Sequence, residues 1–507
     1  MSSQDQFPRA NIRTFGVELE LLIPWLYHDE PDPHQDDAER LPGIIRLKMK
    51  DGSSGWEERD MLNNEIVDFL EDQGLHAGAD SYGMGDYGTD HWILKQDPTI
   101  DSEPEDPRYM WFPVEITSPA VRATPEALEA IRYMLNLLCS KYRVKVNRSC
   151  GFHVHVGDGP ELMPLKHIKR VIGFFWAADP LLSCLHPPRR KTNHYSQSMR
   201  DRSRLAHGSR PEQMDHNLHD QEGSNFCIRY LGRDLRYGEQ PISWRRENRE
   251  EYHIEAFEET REPGHFEPFF ATDDVEERED TEADTTEASP PEVPTEADEY
   301  LEIGARIEEY KASVDEGSIA PQTPYSSTRN RLTRRLAYPR FIPEDEETER
   351  SGPLTVKAKE DIGVFPGVEA VFLSSSSCMV DWLHRPNMSP QRPNYNITPY
   401  SCWRINWPEE VPWTIEFRSA EGTTSGEWAE MWARICVGLT HFAIHAPIED
   451  YLSVLLNIDG AASGRAPYDI ADLLDEVGLF AEAEYVQRRL MEKREEFRLE
   501  FVPDEES

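Results

Sequence analysis

Three segments of this chain alternate strictly, with apolar residues on one phase and ionisable residues on the other. Phe15–Glu20 reads FGVELE, Cys150–Gly157 reads CGFHVHVG, and Thr414–Arg418 reads TIEFR. Successive side chains of a strand point to opposite faces, so period-2 alternation describes a sheet with one apolar and one polar face. A parallel sheet covered by helices on both sides would show continuous apolar runs instead. The pattern therefore predicts an α+β fold, with a mainly antiparallel sheet, helices on one face, and an open face carrying Glu18, Glu20, His153, His155, Glu416 and Arg418.

The remaining elements are read around these strands. His91–Ile100 and Trp111–Ala120 read as strands joined by an acidic, proline-containing loop, with Glu115 on the phase alternate to Val114 and Ile116. Glu58–Leu75 carries a helical apolar stripe. Thr124-Pro125 supplies an N-cap and a first-turn proline for a second helix. Val144–Gly159 reads as a short strand, a turn and a second strand, and Leu165–Leu185 as a helix. Further on, Ala370–Leu373 and Ser401–Trp407 read as strands, Val411–Thr424 as the clearest late strand, Glu427–Ile444 as an amphipathic helix, and Tyr468–Phe501 as two helices. The boundaries that follow are a catalytic domain in two parts, 10–240 and 353–465, an insert at 241–352, and a helical tail at 466–507.

Composition bears on the insert and on partners. The 507 residues carry a net charge of −41, which argues against nucleic acid as a partner, because phosphate affinity needs clustered Lys and Arg. Asp273–Glu299 alone holds 13 acidic residues against Arg278. It is almost free of large apolar residues and cannot offset its chain entropy by burial, so a disordered acidic insert is expected. Ala297–Val314 reads as a short charged helix, and Pro343–Gly352 as another polar stretch. Arg189–Arg210 is basic. Arg200, Arg202 or Arg204 would clamp a nucleotide or acidic substrate, but a solvated loop paired with the acidic insert is the blander expectation. Seven scattered cysteines without a CxxC pair, an N-terminus without an apolar core, and no run of 18 apolar residues point to a cytoplasmic, reducing setting and to no membrane partner.

The chemistry lies in the polar phases. Carboxylates with an occasional imidazole suit Mg2+ or Mn2+, and clustered carboxylates need such cations to offset their mutual repulsion. An arginine beside them matches phosphate charge. Glu-x-Glu, His-x-His or Glu-x-Arg alone is usually a solvated face, an incidental pair or a salt bridge. The three together, in apolar strands that end on glycines, carry the reading.

FGVELE, WILKQDPTI, VEITSPA, CGFHVHVG and TIEFRSAEGTT, in that order, resemble the amidoligase family of glutamine synthetase-like carboxylate–amine ligases. The resemblance covers Arg13–His186 and Leu354–Pro447. It implies a curved antiparallel sheet of glutamine synthetase type, whose concave face binds ATP and divalent metal. It also implies roles: Glu18, Glu20, His153 and Glu416 as metal ligands, His155 as a nucleotide contact, and Arg418 facing the transferred phosphate. Glu115 and Asp97 would act on the substrate side, one of them as the base that deprotonates the amine, and Asn406 would position substrate. The implied reaction activates a carboxylate as an acyl phosphate, which an amine then displaces to give an amide or isopeptide bond. The partners are then a carboxylate and an amine, the latter or former carried by a small molecule, a peptide or a protein. Two other classes compete: a catalytically inactive scaffold on a ligase fold, and a metal-dependent amide hydrolase. Neither the substrates nor the oligomeric state is written in the sequence.

Overall fold

The computed structural model describes residues 13–37, 40–48, 55–80, 90–101, 106–159, 162–191, 193, 195–210, 330–341, 357–374, 377–385, 392–400 and 413–503, with residues 305, 306, 309 and 312 in addition. Of the expected insert at 241–352, residues 305, 306, 309, 312 and 330–341 are described; its acidic stretch Asp273–Glu299, the stretch Pro343–Gly352, the expected strand Ser401–Trp407 and Asn406 lie outside the described residues. Of Ala297–Val314 only those four positions are described, and they are helical.

The alternating segments pair as expected. Strand β1 (Thr14–Tyr27) lies between β5 (Met110–Thr117) and β7 (Gly151–Gly157), antiparallel to both. The sheet continues through β9 (Thr414–Glu421) to β8 (Tyr395–Asn396) on one side, and through β4 (Trp92–Lys95) to β3 (Ala77–Asp80) on the other. Two short strands, β2 (Ile45–Leu47) and β6 (Val121–Arg122), also pair with β1. Of the pairings, only β1 with β2 and β3 with β4 are parallel. The sheet is thus large, open and mostly antiparallel. The first half of Val144–Gly159 is not a strand of its own. It makes only an isolated bridge, Lys145 with Leu22.

The apolar phase faces the helices. Val17, Leu19, Leu21, Val154, Ile415 and Phe417 are buried. Against them lie α2 (Pro125–Lys141), α3 (Leu165–Leu182) and α7 (Gly426–His445). Phe175 of α3 packs edge-on against Phe417 of β9 and stacks on Tyr395 of β8, each at 4.9 Å between ring centres. Thr124 caps α2 through Ala127 N–H, as the Thr-Pro pair predicts. The early helix is present as α1 (Gly55–Asp72).

Two expectations are corrected. Ala370–Leu373 does not form a strand: it lies at the end of α5 (Val364–Phe372). A short apolar run has no periodicity to separate strand from buried helix, and here helix–helix packing decides. Gly367 permits it, since a Cβ there would overlap the indole of Trp176 on α3. Nor is Arg189–Arg210 a solvated basic loop. Arg190, Arg200 and Arg202 are buried, and α4 (Met199–Arg202) lies within this segment. Arg200 makes a two-pronged pair with Asp361 and stacks on Trp176. After α6 (Ser377–His384), the chain resumes beyond β9 with α7, α8 (Ile448–Ala462), α9 (Ile470–Glu476) and α10 (Phe480–Glu492). The last two are the expected tail helices, and α10 packs on α7 through Tyr485 and Arg489 against Trp428.

Candidate metal and substrate site

Register carries the polar phases of six strands into one patch. Lys95 on β4 lies opposite Glu115 on β5, which lies opposite Glu20 on β1. Glu18 lies opposite His153 on β7. His155 lies opposite Glu416 on β9, which lies opposite Asn396 on β8. The β7–β9 pairing shifts between Phe152 and Val154, so Arg418 and Ser419 together oppose His153. Such a bulge lets neighbouring residues stay near the patch without breaking the sheet.

Within the patch, Glu18, His155 and Glu416 each offer a ligand atom, and the three atoms lie within 4.8 Å of one another. His155 Nε2 is 3.2 Å from Glu18 and 4.0 Å from Glu416. Its other nitrogen, Nδ1, lies 2.9 Å from the Thr414 hydroxyl, which fixes the ring and leaves Nε2 toward the carboxylates. His153 sits deeper: Nδ1 is 3.0 Å from Glu18 and 3.7 Å from Glu416, and Nε2 is 3.6 Å from Glu20. The histidine in the compact triad is thus His155, whereas the resemblance implied a metal role for His153. His153 tethers the carboxylates from beneath. Glu20 is buried and accepts the Gly151 N–H at 2.5 Å.

Charge is compensated from the flanks. Arg418 pairs with Glu416 and donates through Nε to the Tyr195 carbonyl. Asn396 donates to the other oxygen of Glu416 at 2.6 Å. Burial raises Glu416, but the Arg418 guanidinium together with His155 and His153 outweighs it and holds the carboxyl down at about 2. Burial likewise opposes ionisation of Glu18, yet His155 and His153 keep it well below the usual carboxylate range. Glu115 behaves oppositely. Burial and then the Glu18 charge push it up to about 8, against the pull of Lys95 at 2.8 Å. Two carboxylates of one patch are therefore ionised while a third holds a proton near neutral pH, a separation typical of functional sites.

Asp97 is not part of the triad, though its charge reaches Lys95 at the edge of the patch. Its carboxylate accepts the Thr99 N–H at 2.6 Å and closes the turn after β4. Four contributors had no part in the expected site. Lys95 shares the phase of a strand singled out by its pattern. Asn396 and Thr414 act only through register. Arg190 is buried, with its guanidinium donating to the Arg418 carbonyl, and nothing in its basic surroundings marks it in sequence.

A family model described as "Putative amidoligase enzyme" matches residues 11–225. The likeness to that family is confined to residues 11–225, less than half of the chain. The match takes in β1, β4, β5 and β7, hence Glu18, Glu20, Lys95, Glu115, His153 and His155. It stops short of β9, which brings Glu416 and Arg418 to the matched segment. No curated protein and no solved structure matches the chain. No helix among the described residues is long and apolar enough to cross a membrane.

Proposed function

We propose that this protein is an ATP-dependent carboxylate–amine ligase whose metal centre is Glu18, His155 and Glu416. The observation that carries the reading is the convergence of these ligand atoms within 4.8 Å on the open face of an amidoligase-family sheet, beside Arg418. The donor set fits Mg2+ or Mn2+: two carboxylates and one imidazole oriented by a hydroxyl. When bound, the cation would offset nucleotide phosphate charge, and ATP would supply the activation that a carboxylate lacks.

The protein's own work is positioning and charge. Asn396 and Arg418 hold Glu416 from two sides, so its oxygens do not swing as ligands exchange. Arg418 and Lys95 place positive charge at both ends of the patch, where a transferring phosphoryl group and an incoming carboxylate would need it. Glu115 in its carboxylate form, stabilised by Lys95 at 2.8 Å, is the group placed to take a proton from the attacking amine and so become a neutral carboxyl.

The test is ADP release from ATP and Mg2+ with panels of acids and amines, alongside amide hydrolysis without nucleotide. The proposal expects ADP release that requires both an acid and an amine, reduced at least ~100-fold in Glu416→Gln. Metal-dependent amide cleavage without ATP would replace it with the hydrolase reading, and a folded protein inert in both assays with the scaffold reading.

A further inference from the structure

Beyond the metal patch lies a cleft of about 770 Å³ between the end of β9 and the C-terminal helix α10. Its volume suits a small organic molecule or a few peptide residues rather than a single ion. The cleft shares a wall with the patch. Glu421 on its rim pairs with Gly151, whose N–H is held by Glu20. The acidic groups of its lining are largely engaged: Glu421 pairs with Arg189, and Glu496 with Lys493.

Two cations are not engaged. Arg489 and Arg148 line the cleft, and among the described residues neither has a carboxylate within ion-pairing distance. The Arg489 guanidinium lies over the Trp428 indole at 3.7 Å, and its Nε is buried without a hydrogen-bond partner. A stacked guanidinium keeps its N–H donors in the ring plane, available for a carboxylate. Burial lowers it to about 10, which leaves it charged at neutral pH. Below it, His186 is only 4% exposed, forms part of the wall, and has an Nε2 atom without a hydrogen-bond partner. The lining includes Ser425, the N-cap of α7, so the positive end of a 20-residue helix faces the same space. The donors thus outnumber their acceptors at a site built partly from the tail, outside the family match.

We infer that this cleft binds a second carboxylate of the acid substrate, so that the enzyme acts on an acid bearing at least two carboxylates, such as a glutamate-containing peptide. This rests on the ligase reading for the word substrate, but binding in the cleft can be measured without turnover. Arg489 and the α7 terminus hold the distal carboxylate, and the occupant extends past Glu421 toward Glu20 and Arg418.

The experiment titrates full-length protein with triglutamate, trialanine and inorganic phosphate by calorimetry, for wild type, Arg489→Gln, Arg148→Gln and Glu416→Gln. Thermal melts confirm that each variant is folded. The expected result is triglutamate binding that weakens at least tenfold in Arg489→Gln, with trialanine inert and Glu416→Gln still binding. If Arg489→Gln melts early, Arg148→Gln, on an exposed residue, serves in its place and should weaken triglutamate binding measurably. Wild-type protein that ignores triglutamate, binds it equally well without Arg489 and Arg148, or binds phosphate in its stead overturns the inference. Absence of ATP turnover together with Arg489-dependent peptide binding would sink the ligase reading and leave the cleft assignment standing.

Discussion

At the metal patch the two histidines of one strand have different surroundings, and substitution should separate them. His155 reaches the carboxylates through Nε2 while Thr414 holds its other nitrogen, whereas His153 lies beneath, between Glu18 and Glu20. On the proposed metal centre, replacing His155 by Ala would remove a ligand, and we expect Mn2+ affinity, read by electron paramagnetic resonance, to fall more than in His153→Ala, where the loss would be that of a tethering contact, ~10–100-fold. Equal or reversed losses would restore His153 as the ligand. The alternation FHVHV shows that both rings share a face, but not which one joins Glu18 and Glu416 in the compact triad, because that depends on the register to β9 and on Thr414. Glu18, Glu20, Glu416 and Arg418 were legible as a set for the opposite reason: Glu18 and Glu20 share one phase of β1, and Glu416 and Arg418 share one phase of β9, whatever the register between the strands. Farther away, Asp32 accepts both prongs of Arg143, and that guanidinium holds it at about 2. A carboxyl depressed in the folded state stabilises above its unfolded value of 3.8 and loses that contribution as pH falls toward 2. The stability difference between wild type and Asp32→Asn should therefore shrink between pH 4.5 and 2.5 in urea titrations, and a constant difference would contradict this.

Among elements, the crossing of α3 and α5 depends on one missing side chain. Trp176 donates to the Gly363 carbonyl at 3.1 Å and occupies the space above Gly367. Gly367→Ala would force the indole aside in a close-packed core, at ~1–3 kcal/mol, and lower the melting temperature accordingly. An unchanged melt would mean that the helices separate freely. Ala370–Leu373 reads as a strand because it is a short apolar run, and only the partner helix decides its form. The segment Arg189–Arg210 failed in the opposite sense. Its many charges suggested solvent, yet Arg200 is neutralised by Asp361, a residue 161 positions away that no local pattern connects to it. Pairs of that kind become visible only after folding.

For the molecule as a whole, the tail is part of the core rather than an appendage. Arg331 pairs with Asp469 and Asp472, and Arg335 pairs with Asp472 as well, at the start of α9. Both aspartates are essentially fully buried. Removing Arg331 leaves their charge undercompensated, and Arg331→Ala should cost ~3–5 kcal/mol in denaturant titrations, with α10 and the cleft it closes released together. Loss of less than ~1 kcal/mol would show that Arg335 suffices.

Calorimetry of ATP binding with and without Mg2+ tests whether β1, β7 and β9 assemble a cation site for nucleotide phosphates. Wild-type protein should bind ATP only with Mg2+, and Glu416→Gln, folded and with an intact melt, should lose that binding. ATP binding that ignores Mg2+, or that survives in Glu416→Gln, would contradict it.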